Sequence, residues 1–169
     1  MSSTLRLETA INRIKFSRLY TKRFLEGLSD DEWFWCPSEL TTHIGWQVGH
    51  LAVSQYNLCL RRVRGRTTAD ESLVSDRFID AFKLGSTPDP SPANNPGLSE
   101  IRRVFDAVQQ QAVTELATRS DAELEVPVEQ PHPVFKTRLE AVEYAPQHEL
   151  VHAGQIALLR RMMGKPPLR

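Results

Sequence analysis

The chain has 169 residues, the length of one ordinary domain able to bury a single core. Its 21 Lys and Arg balance 21 Asp and Glu, which argues against a dedicated nucleic-acid binder, because offsetting phosphate needs a basic excess. With 40% apolar and 25% charged residues, and no apolar run long enough to span a bilayer, one soluble globular domain over 1–169 is expected, without a membrane partner.

Leu7, Ile11, Ile14 and Arg18 recur at helical spacing and Leu25 and Leu28 continue the stripe, predicting a first helix over about 4–28 with Ser3 or Thr4 as its cap. Gly27 and Ser29-Asp30-Asp31 end it, and 33–41 reads as a loop because Pro37 disfavours helix at Cys36. A second helix is predicted over 43–62, capped by Thr41 or Thr42 and stopped by Gly65. It is apolar nearly all round, as a central bundle helix is, and Trp46, His50, Val53 and Asn57 share one of its faces. Leu73, Phe78, Ile79 and Phe82 suggest a short extra helix near 72–84. Pro88, Pro90, Pro92 and Pro96 then exclude regular helix, making 85–97 the longest surface loop. Ser99 opens a third main helix over 99–118, and the next irregular stretch, 119–136, holds Pro127, Pro131 and Pro133. Thr137 and Glu140 form a capping box for a last helix that runs to Met163, ahead of Gly164. Pro146 inside it predicts a bend just before His148. Four main helices and no β-periodic segment predict an all-α four-helix bundle with long irregular connections. A weak internal echo, Ser29-Asp30-Asp31-Glu32 against Ser120-Asp121-Ala122-Glu123, fits a two-fold design or arises by chance.

His148 and His152 lie one turn apart on one helix face, where two imidazoles can reach one ion. Together with Glu149 they literally match His-Glu-x-x-His, the zinc-protease pattern. The match is discounted, because no His, Asp or Glu follows His152 to supply the downstream third ligand. A third ligand must therefore come from earlier in the chain, and His50 is the candidate. A histidine among core residues is costly unless ligated or hydrogen-bonded, so a satisfied core histidine is the alternative reading. Three histidines would leave coordination positions open, whereas closure by Glu149 or another carboxylate would make the site structural. Gly49 and Gly154, each beside a site histidine, would allow close helix approach or ordinary tight packing.

Gly49-His50-Leu51, then His148-x-x-x-His152-x-Gly154-Gln155-Ile156 and Leu159-Arg160-Arg161, resemble the DinB-like superfamily of metal-binding four-helix proteins. The resemblance implies a bundle, frequently a homodimer, holding a divalent metal, zinc or nickel with iron as an alternative, on His50, His148 and His152. It also implies transfer or addition of a low-molecular-weight thiol to a small electrophilic substrate, as in thiol-dependent transferases and isomerases. A metal-dependent hydrolase, and a non-catalytic metal-binding or dimerisation module, are the alternatives.

Gln155, three after His152, and Gln47, three before His50, could orient a ligand imidazole or hold a metal-bound water. His43 is expected at the surface or as a cap, and His132 in a loop that lines the site only if it folds over it. Cys59 is expected in the core, and neither it nor Cys36 has an activating neighbour in sequence. Two cysteines make no disulfide framework, and the opening residues show no secretory leader, so a reducing cytoplasmic location is expected. Arg61, Arg62, Arg64 and Arg66 read as a solvated helix end, or as an anchor for an anionic substrate or thiol. Trp33, Phe34 and Trp35 read as core, with a pocket wall or dimer contact as the alternative.

Overall fold

The computed structural model describes residues 5–38 and 42–167. Leucine and isoleucine at helical spacing bury one face of α1 (Leu5–Leu25), which ends before Gly27. Ser3 and Thr4, its expected caps, lie outside the described residues, as does Thr41. The segment expected as loop opens instead with a short helix, α2 (Asp30–Phe34). The Ser29 N–H donates to Glu32 Oε2 at 2.8 Å there, a capping box hidden in what read as a terminator. The same box, Ser120 with Glu123, opens α8 (Asp121–Leu124), so the internal echo has a structural counterpart.

The second main helix is α3 (Ile44–Tyr56), continued by one π turn (Asn57–Arg61) and by α4 (Arg62–Arg64). Its N-cap is His43 rather than a threonine, and the ring accepts from the Trp46 N–H. Gly65 stops the rod at φ +81°, a left-handed conformation that suits a residue without Cβ. The predicted helix near 72–84 is two pieces, α5 (Asp70–Leu73) and α6 (Asp76–Phe82), because Ser75 caps the second through the Phe78 N–H. After a 3-10 turn at Pro92–Asn94, α7 (Leu98–Leu116) begins one residue earlier than Ser99 implied. The last helix, α9 (Arg138–Met162), opens on the predicted Thr137–Glu140 box and runs unbroken through the buried Pro146. Among the described residues there is no strand, only one isolated bridge between Pro127 and Thr137.

Cross-helix contacts fix the topology. Arg6 meets Glu143 and Arg160 meets the Phe24 carbonyl, so α1 and α9 are parallel. Arg138 reaches the Val63 carbonyl while His152 lies beside Gln47, so α3 and α9 are antiparallel. Lys22 pairs with Asp106 and Gln109 reaches the Ile14 carbonyl, so α1 and α7 are also antiparallel. The bundle therefore runs up-down-down-up. Its parallel pair α3 and α7 requires a crossover, which explains the long 65–97 connection.

Leu7, Ile14, Val48, Leu51, Ile101, Val108, Leu139 and Ile156 fill the centre. One polar residue joins all four main helices. Arg18 on α1 is 1% exposed, and its Nε donates to Glu149 Oε1 on α9 at 2.8 Å. Its Nη2 donates to Gln55 Oε1 on α3 at 2.7 Å, and its Nη1 to the Phe105 carbonyl on α7. The guanidinium also stacks 3.4 Å from the Phe105 ring centroid. Such a buried pair adds little net stability, because each charge loses its hydration on burial.

Candidate metal centre

The apolar faces of α3 and α9 bring His50, His148 and His152 together at their crossing. Their ring centroids are 5.3 Å (His50–His148), 4.8 Å (His50–His152) and 4.5 Å (His148–His152) apart. One nitrogen from each lies within 4.8 Å of the other two, and among the described residues no carboxylate or thiol joins the set.

The surroundings decide which nitrogen is free. The Phe82 carbonyl accepts from His50 Nδ1–H at 2.8 Å, leaving the lone pair on Nε2, towards which Ser54 Oγ lies at 3.2 Å. Phe82 can reach because residue 49 is glycine. A Cβ there would lie 2.5 Å from the Phe82 ring, so Gly49 does serve close helix approach. The Gln47 Nε2 donates to Thr42 Oγ1 at 2.8 Å, which turns Gln47 Oε1 towards His152 Nδ1–H. His152 Nε2 then faces His148 Nε2 at 3.2 Å. Trp46 stacks on His50 with ring centroids 4.8 Å apart and 7° between planes, fixing its tilt, and is itself tied to Ser86 Oγ. Carbonyl oxygens on Nδ1 with Nε2 left free are the usual arrangement behind a ligating imidazole.

Burial keeps the cluster uncharged. Desolvation first, then the neighbouring imidazoles, push His148 down to about 4 and His152 down to about 3. His50 is lowered too, by burial. At neutral pH all three are neutral donors, as a metal ligand must be. Three neutral, closely set imidazoles, with Nδ1 of His50 and His152 held from behind, fit a borderline divalent ion such as zinc or nickel.

Glu149 does not close the set. It is 3% exposed, held by Arg18 in the core, and faces away from its two histidine neighbours. The literal His-Glu-x-x-His match is therefore coincidental: its glutamate is a core ion-pair partner. Gln47 orients His152, whereas Gln155 is exposed and makes only a minor contact with that ring. Gly154 is exposed with open space where a Cβ would lie, so it serves no approach within the chain.

His43 is the α3 cap, buried rather than at the surface, and burial lowers its pKa. Cys59 is core, and burial pushes its thiol up to about 12, which excludes it as a nucleophile near neutral pH. Trp33 and Phe34 are core, whereas Trp35 is 37% exposed.

The 125–137 hairpin does fold towards the site. His132 stacks on Phe135 at 3.9 Å and lies 6.2 Å from Tyr144, whose ring is 5.9 Å from that of His148. Tyr144 was missed by the sequence reading. Its signal was the spacing: residues 144, 148 and 152 climb one face of α9 in steps of four. Helical spacing places Trp46 on the His50 face; Ser54, one turn after His50, was missed although the same spacing marks it, and the Phe82 carbonyl has no local signal.

A four-helix bundle whose adjacent antiparallel helices converge three histidines defines a class of bundle able to hold a divalent ion. Residues 13–156 match the family model of the DinB superfamily, and the chain belongs to that superfamily. No curated protein matches the sequence. Among the described residues no helix is long and apolar enough to cross a membrane.

Proposed function

We propose that this protein is a divalent-metal-dependent enzyme that transfers or adds a low-molecular-weight thiol to a small electrophile at His50, His148 and His152. The observation that carries the reading is the incomplete ligand set. Three neutral imidazoles converge, and Glu149, the carboxylate nearest in sequence, is held elsewhere. A structural zinc site is normally closed by four protein ligands, so an open set favours catalysis. A divalent ion there supplies Lewis acidity, which lowers the pKa of a thiol or water that binds it.

The chain's own contribution is orientation and shielding. The Phe82 carbonyl and Gln47 hold protons on the outer ring nitrogens, and Trp46 fixes the plane of His50. Tyr144 stands one turn from His148, where its hydroxyl can donate to a substrate oxygen. The same open set would serve a hydrolase, and screening thiol transfer beside ester and amide hydrolysis separates the two.

Metal analysis by plasma mass spectrometry tests the site. We expect about one zinc or nickel ion per chain, lost in His50→Ala and His148→Ala while the helical circular dichroism persists. Folded wild-type protein that takes up neither metal would overturn the reading.

A further inference from the structure

The end of the α3 rod carries four arginines, and the structure divides them. Arg64 is held by Asp70 at 2.8 Å and Glu115 at 2.6 Å. Arg66 pairs with Glu71 and Asp76. Arg61 and Arg62 have no carboxylate partner among the described residues. They line a cleft of about 400 Å³ with Asn57, Arg66, Glu129 and Gln130.

Arginines at a helix C-terminus need no ligand to explain them, since the helix dipole favours them there. Their convergence is a separate matter. In an α-helix a residue five positions on points about 140° away from the first. Here the Arg62 N–H bonds the Asn57 carbonyl, five residues back, in the π turn. In such a turn the fifth residue returns close to the first. The extra residue therefore brings Arg62 round to the side of Asn57 and Arg61. Asn57 Oδ1 is buried without a partner, an unused polar group at the same place. Glu129, the acid in the cleft, is itself 3.7 Å from Arg138 and largely exposed.

An aromatic track joins this cleft to the histidines. Arg62 lies 5.1 Å over Phe135, Phe135 is 5.9 Å from Tyr144, and Tyr144 is 5.9 Å from His148. We propose that the cleft binds the oxyanionic end, carboxylate or phosphate, of the small molecule that reacts at the histidine cluster. Arg61 follows His50 by eleven residues on one rod. That is about 16 Å along the rod at the rise of a helix, so the molecule is long enough to reach from one place to the other. The link to the histidines rests on the thiol-transfer reading, whereas the anion site stands without it.

The test uses metal-free protein titrated with succinate, inorganic phosphate and uncharged succinamide. Calorimetry and arginine side-chain NMR follow the titrations, with ionic strength held constant by chloride. We expect saturable shifts at Arg61 and Arg62 with succinate, phosphate or both, and none with succinamide. Whichever saturates names the acid as carboxylate or phosphoryl. The Arg61→Ala/Arg62→Ala double variant should bind about tenfold more weakly, the loss of a charge-assisted hydrogen bond, while Arg119→Ala binds as wild type. A linear response like that of chloride, or saturation that survives the double variant, would overturn the anion site. Absence of metal uptake leaves this titration untouched, so the two readings fail separately. In turnover by metal-loaded protein, an unchanged KM in the double variant would overturn the link to the histidines.

Discussion

Single side chains set the character of the histidine cluster before any ion is considered. His152 points one nitrogen at its neighbours because Gln47 accepts from the other, and Gln47 faces that way because Thr42 accepts from its amide. Gln155, adjacent in sequence pattern, is exposed and makes only a minor contact with the His152 ring. Groups that orient a ligand from behind typically alter metal affinity about 10–100-fold when removed. Gln47→Ala should therefore weaken zinc binding by about that factor, and Gln155→Ala should leave it nearly unchanged. Competition against a chelator of known affinity reads both. An equal effect of the two variants would mean that Gln47 does not act through His152.

At the scale of elements, α9 carries two different tasks on adjacent residues. His148 and His152 face α3, while Glu149 turns about 100° round the helix into Arg18. The bundle interior is thus divided between a cluster of neutral imidazoles and one buried ion pair. Breaking such a pair from one side costs about 3–5 kcal/mol, because the remaining charge is stranded. Glu149→Gln should lower the melting temperature sharply yet leave the metal stoichiometry intact. Arg18→Met combined with Glu149→Leu should recover much of the loss, since well-packed apolar residues replace buried pairs at little cost. A protease-type glutamate behaves differently: its replacement abolishes turnover without lowering stability. The neighbouring α6 depends on a smaller detail. Gly49 lets the Phe82 ring press against α3, and this seats the carbonyl that holds His50.

For the molecule as a whole, the parallel pair α1 and α9 leaves apolar side chains in solvent. Phe16 and Leu19 on α1 are 62% and 66% exposed, and Val151 and Leu158 on α9 are 62% and 51% exposed. Gly154 lies on the same face as the last two, with nothing near its missing Cβ. Apolar side chains of this size are costly to leave wet, and the α9 surface around Gly154 is open enough for close approach. We propose that a second copy of the chain covers it. Sedimentation should give a dimer for wild type and a monomer for Phe16→Glu combined with Val151→Glu, with metal content unchanged. A monomeric wild type would remove the proposal.

Much of the fold was legible because it is local. Helical periodicity, the Thr137–Glu140 box and Gly65 depend on residues within a turn or two of one another, so the chain alone determined the four main helices and their bundle. The spacing of His148 and His152 likewise fixed that two imidazoles share a face, and His50 was recognisable as a polar misfit on an apolar helix. Other features depended on contacts across the bundle. Only the tertiary structure decided that Glu149 belongs to Arg18, that Gln47 rather than Gln155 orients His152, and that Tyr144 stands beside the cluster. The division of the four arginines into two that are paired and two that are open was equally invisible. Asp70, Glu71 and Asp76 follow closely in sequence, but the turn after Gly65 rather than a helical spacing brings them back to the arginines, and Glu115 comes from α7. The physical reason is common to all of these. Periodicity and capping energies act within a few residues, whereas a side chain's partner is chosen by the packing of helices that meet only after the chain has folded.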